Sequence, residues 1–117
     1  MAGVSRDANT IFWDVDTQVD FMLPVGALYV PGAERIIPAL GRLTELARSK
    51  GIPIISTADA HAPQDPEFGQ WPPHCVAGTL GQRKVPETLL PRSLLIPNRS
   101  GPLPAGWESA PQMLVEK

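Results

Sequence analysis

Asp59 and His61 stand two residues apart, Glu67 follows six residues later, and His74 comes seven residues after that. All lie in T-A-D-A-H-A-P-Q-D-P-E-F-G-Q-W-P-P-H-C-V-A-G-T-L-G, which runs from Thr57 to Gly81 and holds both histidines and the only cysteine of the chain. Side chains at i and i+2 of an extended segment point the same way, so Asp59 and His61 can reach one cation. Two imidazoles with one or two carboxylates suit zinc, iron or manganese better than calcium or magnesium. The expectation is a metal site built from Asp59, His61 and His74, with Glu67 as fourth ligand. The bland alternative is a set of ordinary polar loop residues, and the spacing to His74 does not decide between the two.

Asp16 closes an apolar run and is a candidate general base, since a carboxylate at a strand end in a cleft gains basicity through partial burial. It reads equally as a loop cap. Asp20 is expected to bond backbone in its own turn. Phe21 and Trp71 can wall a pocket for an aromatic substrate or simply pack. Cys75, next to His74, invites a nucleophile reading. Neighbours in extended chain point to opposite sides, however, so a cysteine facing away from a metal-facing His74 reads better as a small buried residue. Lys117 matters because it ends a predicted strand.

The elements that must position these groups form a βαβ unit. Residues 10–15, T-I-F-W-D-V, read as a central strand, and the apolar run opening 52–57 reads as a buried one. Between them, residues 33–49 carry Ile36, Ile37, Leu40, Leu43, Leu46 and Ala47 at helical spacing. Gly51 supplies the stop, and Pro38 must lie near the first turn or bend the helix. A right-handed crossover makes the two strands parallel and brings Asp16 and Asp59 to one sheet edge. Residues 27–30 read as a brief pairing, 86–90 as a helical turn, 93–96 as a short strand and 112–115 as a third main strand. One good helix does not cover both faces of a parallel sheet. The third strand is therefore expected to be uncovered and the chain to associate or to be completed by further polypeptide.

With 117 residues, one domain is expected, residues 10–117 forming an α/β portion behind a flexible N-terminus at 1–9. A net charge of −2 without charged runs argues against nucleic acid or an anionic membrane as partner. No apolar run is long enough for a membrane span, the first ten residues have no signal-peptide core, and a single cysteine fits a reducing cytoplasm. Most of the 14 prolines fall after residue 60, which predicts a loop-rich second half.

D-T-Q-V-D-F after one strand, T-A-D-A-H after the next, and then W-P-P-H-C-V-A-G-T-L-G resemble the nicotinamidases of the isochorismatase-like cysteine hydrolase superfamily. The resemblance is dense from Ile11 to Gly81 and returns at M-L-V-E-K. It implies a three-layer α/β fold, a six-stranded parallel sheet between helices, here truncated before the last strands and helices. It implies hydrolysis of nicotinamide to nicotinate and ammonia in NAD salvage. A cysteine thiolate attacks the amide, and water cleaves the resulting thioester. It implies Asp16 as proton shuttle, and Lys117 rather than Lys84 as the supporting lysine. It further implies one divalent metal, zinc first with iron or manganese compatible, on Asp59, His61, Glu67 and His74, and Phe21 and Trp71 flanking the ring. Ala60 stands where an aromatic residue is common, and the loop from His61 to Trp71 is short. The nucleophilic cysteine of the family lies after a later strand, so Cys75 is not its counterpart and this chain alone is expected to be inactive. The partners implied are nicotinamide and either a second copy or a missing C-terminal portion. The alternatives are another isochorismatase-like hydrolase of a small amide, or a non-catalytic metal- or partner-binding remnant.

Overall fold

The computed structural model describes residues 9–117. The expected flexible N-terminus lies, up to residue 8, outside the described residues. Four parallel strands form one sheet: β1 (Phe12–Val15), β2 (Ile54–Ala58), β3 (Ser93–Ile96) and β4 (Gln112–Glu116), in the spatial order β1-β2-β4-β3. A short helix α1 (Val19–Met22) follows β1, and α2 (Ile37–Lys50) crosses from β1 to β2. The predicted βαβ unit is thus present. Pro38 sits in the first turn of α2, where its missing N–H costs nothing. Gly51 ends the helix in the left-handed region at φ +67°.

Ala47 of α2 packs with Ile52, Ile54 and Leu90 in a buried cluster that Phe12 adjoins. The same face of the sheet carries a polar layer. Lys84, whose side chain is 1% exposed, pairs with Asp14 and donates to Thr17 Oγ1 at 2.7 Å. Ser56 donates to Asp14 at 2.9 Å, and Gln112 donates to Ser56 at 2.8 Å and to the Thr88 carbonyl at 2.9 Å. Buried polar atoms are tolerated only when partnered in this way, so the layer locks β1, β2 and β4 in register.

The segment 27–30 forms no strand. It lies back on α1, with Leu28 N–H on Asp20 O at 3.1 Å and Val30 N–H on Phe21 O at 2.9 Å. That close return needs Gly26, where a Cβ would stand 2.3 Å from Asp20 O. The third main strand, β4, is also not where the sheet is open, because β3 pairs with its outer side. The sheet has two edges, β3 and β1, and β1, expected as a central strand, carries the larger apolar exposure. Ile11, Trp13 and Val15 are 62%, 73% and 58% exposed along it, and a groove of about 520 Å³ runs from them to Ile36, Leu40 and Leu43. Half of the stripe of α2 therefore remains uncovered. An open apolar edge of this kind templates pairing. The chain is expected to show concentration-dependent mass in sedimentation velocity, and W13K/V15K to reduce it to the monomer. A wild-type chain that stays monomeric at tens of micromolar would contradict this.

Candidate active site

Each proposed metal ligand is delivered by a different local device. Asp59 is the first residue beyond β2. His61 is held by a parallel bridge to Val76, with its N–H on Cys75 O at 3.0 Å and its C=O accepting from Ala77 at 2.9 Å. Glu67 rides a 3₁₀ turn, Pro66–Gly69, capped by Asp65, whose Oδ1 accepts from Glu67 N–H at 2.8 Å. His74, 3% exposed, follows Pro72-Pro73.

These four side chains converge. His61 Nε2 lies 3.4 Å from Asp59 Oδ2 and 3.1 Å from Glu67 Oε2. His74 Nε2 lies 3.7 Å and 3.2 Å from the same two oxygens. Asp59, His61 and His74 can each offer a ligand atom within 4.8 Å of the others. Ligands about 2.0–2.2 Å from a tetrahedral zinc stand about 3.3–3.6 Å from one another, so the spacing fits such a shell.

The second ring nitrogens support the same use. His61 Nδ1 faces Asp65 Oδ2 at 3.0 Å and His74 Nδ1 faces the Pro72 carbonyl at 2.7 Å. Both partners only accept, so each neutral ring carries its proton on Nδ1 and turns the Nε2 lone pair inward. His61 Nε2 is buried without a hydrogen-bond partner, an orphan that a cation would satisfy. Burial opposes a charged His61, but its hydrogen bond to Asp65 and the charges of Asp59 and Glu67 prevail and raise its pKa. The donor set therefore fits a divalent transition metal.

Asp16 and Lys117 adjoin this cluster. Lys117 Nζ bridges Asp59 Oδ1 at 2.7 Å and Asp16 Oδ2 at 3.1 Å, and these contacts, Asp59 first, raise its pKa against the effect of burial. Asp16 Oδ1 accepts from Thr57 Oγ1 at 2.7 Å. Asp16 has φ +56°, a left-handed conformation that short polar residues tolerate best, and this turns the chain away from β1. Lys84 is instead sequestered on Asp14. Phe21 and Trp71 line an open cleft of about 210 Å³ together with Leu28, Asp59, Glu67 and His74. That is smaller than sites for drug-sized ligands.

Cys75 is buried, but its backbone is not extended as expected. Its φ is +48° and its N–H is held by Asp20 Oδ2 at 2.8 Å. Asp20 thus bonds across to Cys75 as well as to Ala27 N–H at 3.0 Å. Burial, then Asp20, Asp59 and Asp16, push the Cys75 thiol up to about 12. At pH 8 its thiolate fraction is about 10⁻⁴, so a disulfide reagent is expected to leave it unmodified until the chain is denatured. Rapid labelling of the folded chain would contradict this.

Sequence reasoning missed several contributors. Phe68 stacks edge-on to both imidazoles, at 5.3 Å from His61 and 5.5 Å from His74. Asp65 was within reach, because D-P-E is a capped turn start. Gln18 gave no signal of its own, since its partners lie about 40 and 60 residues away.

Comparison with known proteins follows the same outline. The family model for the isochorismatase domain matches residues 11–96, which include Asp16, Asp59, His61, Glu67 and His74 but not Lys117. A comparison with curated protein sequences gave no match. Among solved structures, a pyrazinamidase of Pyrococcus horikoshii in complex with zinc superposes with a TM-score of 0.66 at 31% identity, covering 92% of this chain and 51% of that one. An isochorismatase-like hydrolase from Alkaliphilus metalliredigens gives 0.68 at 27%, with 94% and 52% covered. A pyrazinamidase/nicotinamidase from Streptococcus mutans gives 0.68 at 22%, with 97% and 56% covered, a likeness of fold. The chain thus spans about half the length of the structures it matches. With a parallel sheet of this topology and the family model spanning most of its length, the chain belongs to the isochorismatase family of hydrolases.

Proposed function

We propose that this chain forms the metal-binding and substrate-orienting part of a nicotinamidase-like amidohydrolase, which converts nicotinamide to nicotinate and ammonia in NAD salvage in the cytoplasm. The observation that carries the reading is the convergence of Asp59, His61, Glu67 and His74 on one point, with Asp16 and Lys117 attached through Asp59.

Asp59, His61, Glu67 and His74 would hold the metal, zinc by donor chemistry. When bound, a divalent ion supplies a Lewis-acid contact for the ring nitrogen of the substrate. Phe21 and Trp71 sandwich the ring in the cleft and exclude water from its faces. Asp16, held by Thr57 and Lys117, carries a proton from the nucleophile to the leaving ammonia. Lys117 offsets the negative charge that Asp16 and Asp59 concentrate there.

The attacking sulfur is not Cys75, which is buried and has its pKa near 12. Since the chain has one cysteine, the nucleophile comes from other polypeptide. Asp16 stands at the end of β1, an edge strand, so a nucleophile brought to that edge would meet it. The zinc-loaded chain is expected to release no ammonia from nicotinamide above the uncatalysed rate. Sustained turnover by residues 1–117 alone would overturn this assignment.

A further inference from the structure

The backbone around Asp59 is gripped from both sides, and the two sides differ in kind. In a parallel sheet, alternate residues turn their N–H and C=O to opposite neighbours. Ala58 and Ala60 turn to β4: Lys117 N–H donates to Ala58 O at 2.9 Å and Ala60 N–H donates to Lys117 O at 3.0 Å. Asp59 turns the other way, towards β1. There β1 has already ended, because Asp16 leaves the strand with φ +56°. The place of the missing strand is taken mainly by one side chain, with Gln82 Nε2 adding a longer bond to Asp59 O at 3.3 Å. Gln18 Oε1 accepts from Asp59 N–H at 2.8 Å, and Gln18 Nε2 donates to Asp59 O at 2.9 Å and to Gln82 O at 2.7 Å. Gln18 is fully buried.

We propose that Gln18 is a positioning residue for the metal centre. Its carboxamide imitates a strand residue, pins the Asp59 peptide, and so sets Asp59 Oδ2 towards the two imidazoles while Oδ1 meets Lys117. The inference rests on the metal reading above. Alanine or a short polar residue at position 18 cannot make both contacts; it leaves the Asp59 N–H unpaired and its C=O with only the longer Gln82 bond, and such a peptide relaxes towards other partners.

Gln112 provides a matched control. It too is fully buried and makes three hydrogen bonds, to Ser56, Thr88 and Leu90, none of them a proposed ligand. Zinc affinity is measured by competition with a chromophoric chelator for the wild-type chain, Gln18→Met and Gln112→Met, with folding checked by circular dichroism. Gln18→Met is expected to bind zinc about 10-fold or more weakly, as outer-shell substitutions do, and to alter the visible bands of the cobalt-loaded chain. Gln112→Met is expected to lose stability but to keep wild-type zinc affinity and cobalt spectrum. If Gln18→Met does not fold, Gln18→Glu, which keeps the acceptor for Asp59 N–H and loses the donor, carries the comparison. Equal zinc affinity in the Gln18 and Gln112 variants, with the wild type binding, would overturn this assignment alone. A wild-type chain that does not bind zinc would overturn the metal reading together with it.

Discussion

Replacing His74 by alanine is expected to weaken zinc binding by about 10²–10³-fold, roughly one ligand's share of the 10–16 kcal/mol seen at structural zinc sites. The ring is 3% exposed and fixed by its Nδ1 contact with Pro72, with Phe21 and Phe68 packed at 5.5 Å. It therefore arrives preorganised, and little entropy is lost when it ligates. No other imidazole can replace it, because His61 is the only other histidine. Chelator competition on the folded variant measures the loss. Unchanged affinity would remove His74 from the ligand set.

Replacing Lys84 by methionine acts on stability instead. Its ammonium is paired with Asp14 and Thr17 in a site that burial makes costly for charge, and burial, the leading cause, lowers its pKa. Removing one partner of a buried pair strands the other, at a typical cost of 3–5 kcal/mol. Asp14 is 16% exposed and keeps bonds from Ser56 and Thr17, so about 3 kcal/mol is expected. With urea m-values of about 1–3 kcal/mol/M, the unfolding midpoint falls by at least about 1 M. Coupling Lys84→Met with Asp14→Asn is expected to recover part of the loss. None of these residues is a proposed ligand, so zinc affinity should not change. A midpoint unmoved by Lys84→Met would mean that the pair contributes nothing to the fold.

The two cases mark what the sequence can and cannot show. The βαβ unit was legible because its evidence is local. The stripe from Ile36 to Ala47, Pro38 at the first turn and Gly51 at the last each follow from a few neighbours. The convergence of Asp59, His61 and His74 was legible as a possibility, since D-x-H at a strand end has a defined geometry. Lys84 was not legible as a core residue. Its partners Asp14 and Thr17 lie about 70 residues away, and no periodicity announces a charge that turns inward. The sheet order escaped for a similar reason. Nothing in 93–96 or 112–116 says that β4 enters beside β2 and leaves β3 outside it, and nothing in 10–15 says that this strand lies at an edge instead of centrally. Cys75 was excluded as nucleophile on a geometry it does not have. The exclusion stands on burial and neighbouring carboxylates instead.

In the proposed function, a metal centre orients an aromatic amide between Phe21 and Trp71. Equilibrium dialysis of nicotinamide against the zinc-loaded and the metal-stripped chain tests that most directly. The prediction is saturable binding of one nicotinamide per chain when zinc is bound, lost when the metal is removed. Equal binding to both forms, or none to either, would contradict it.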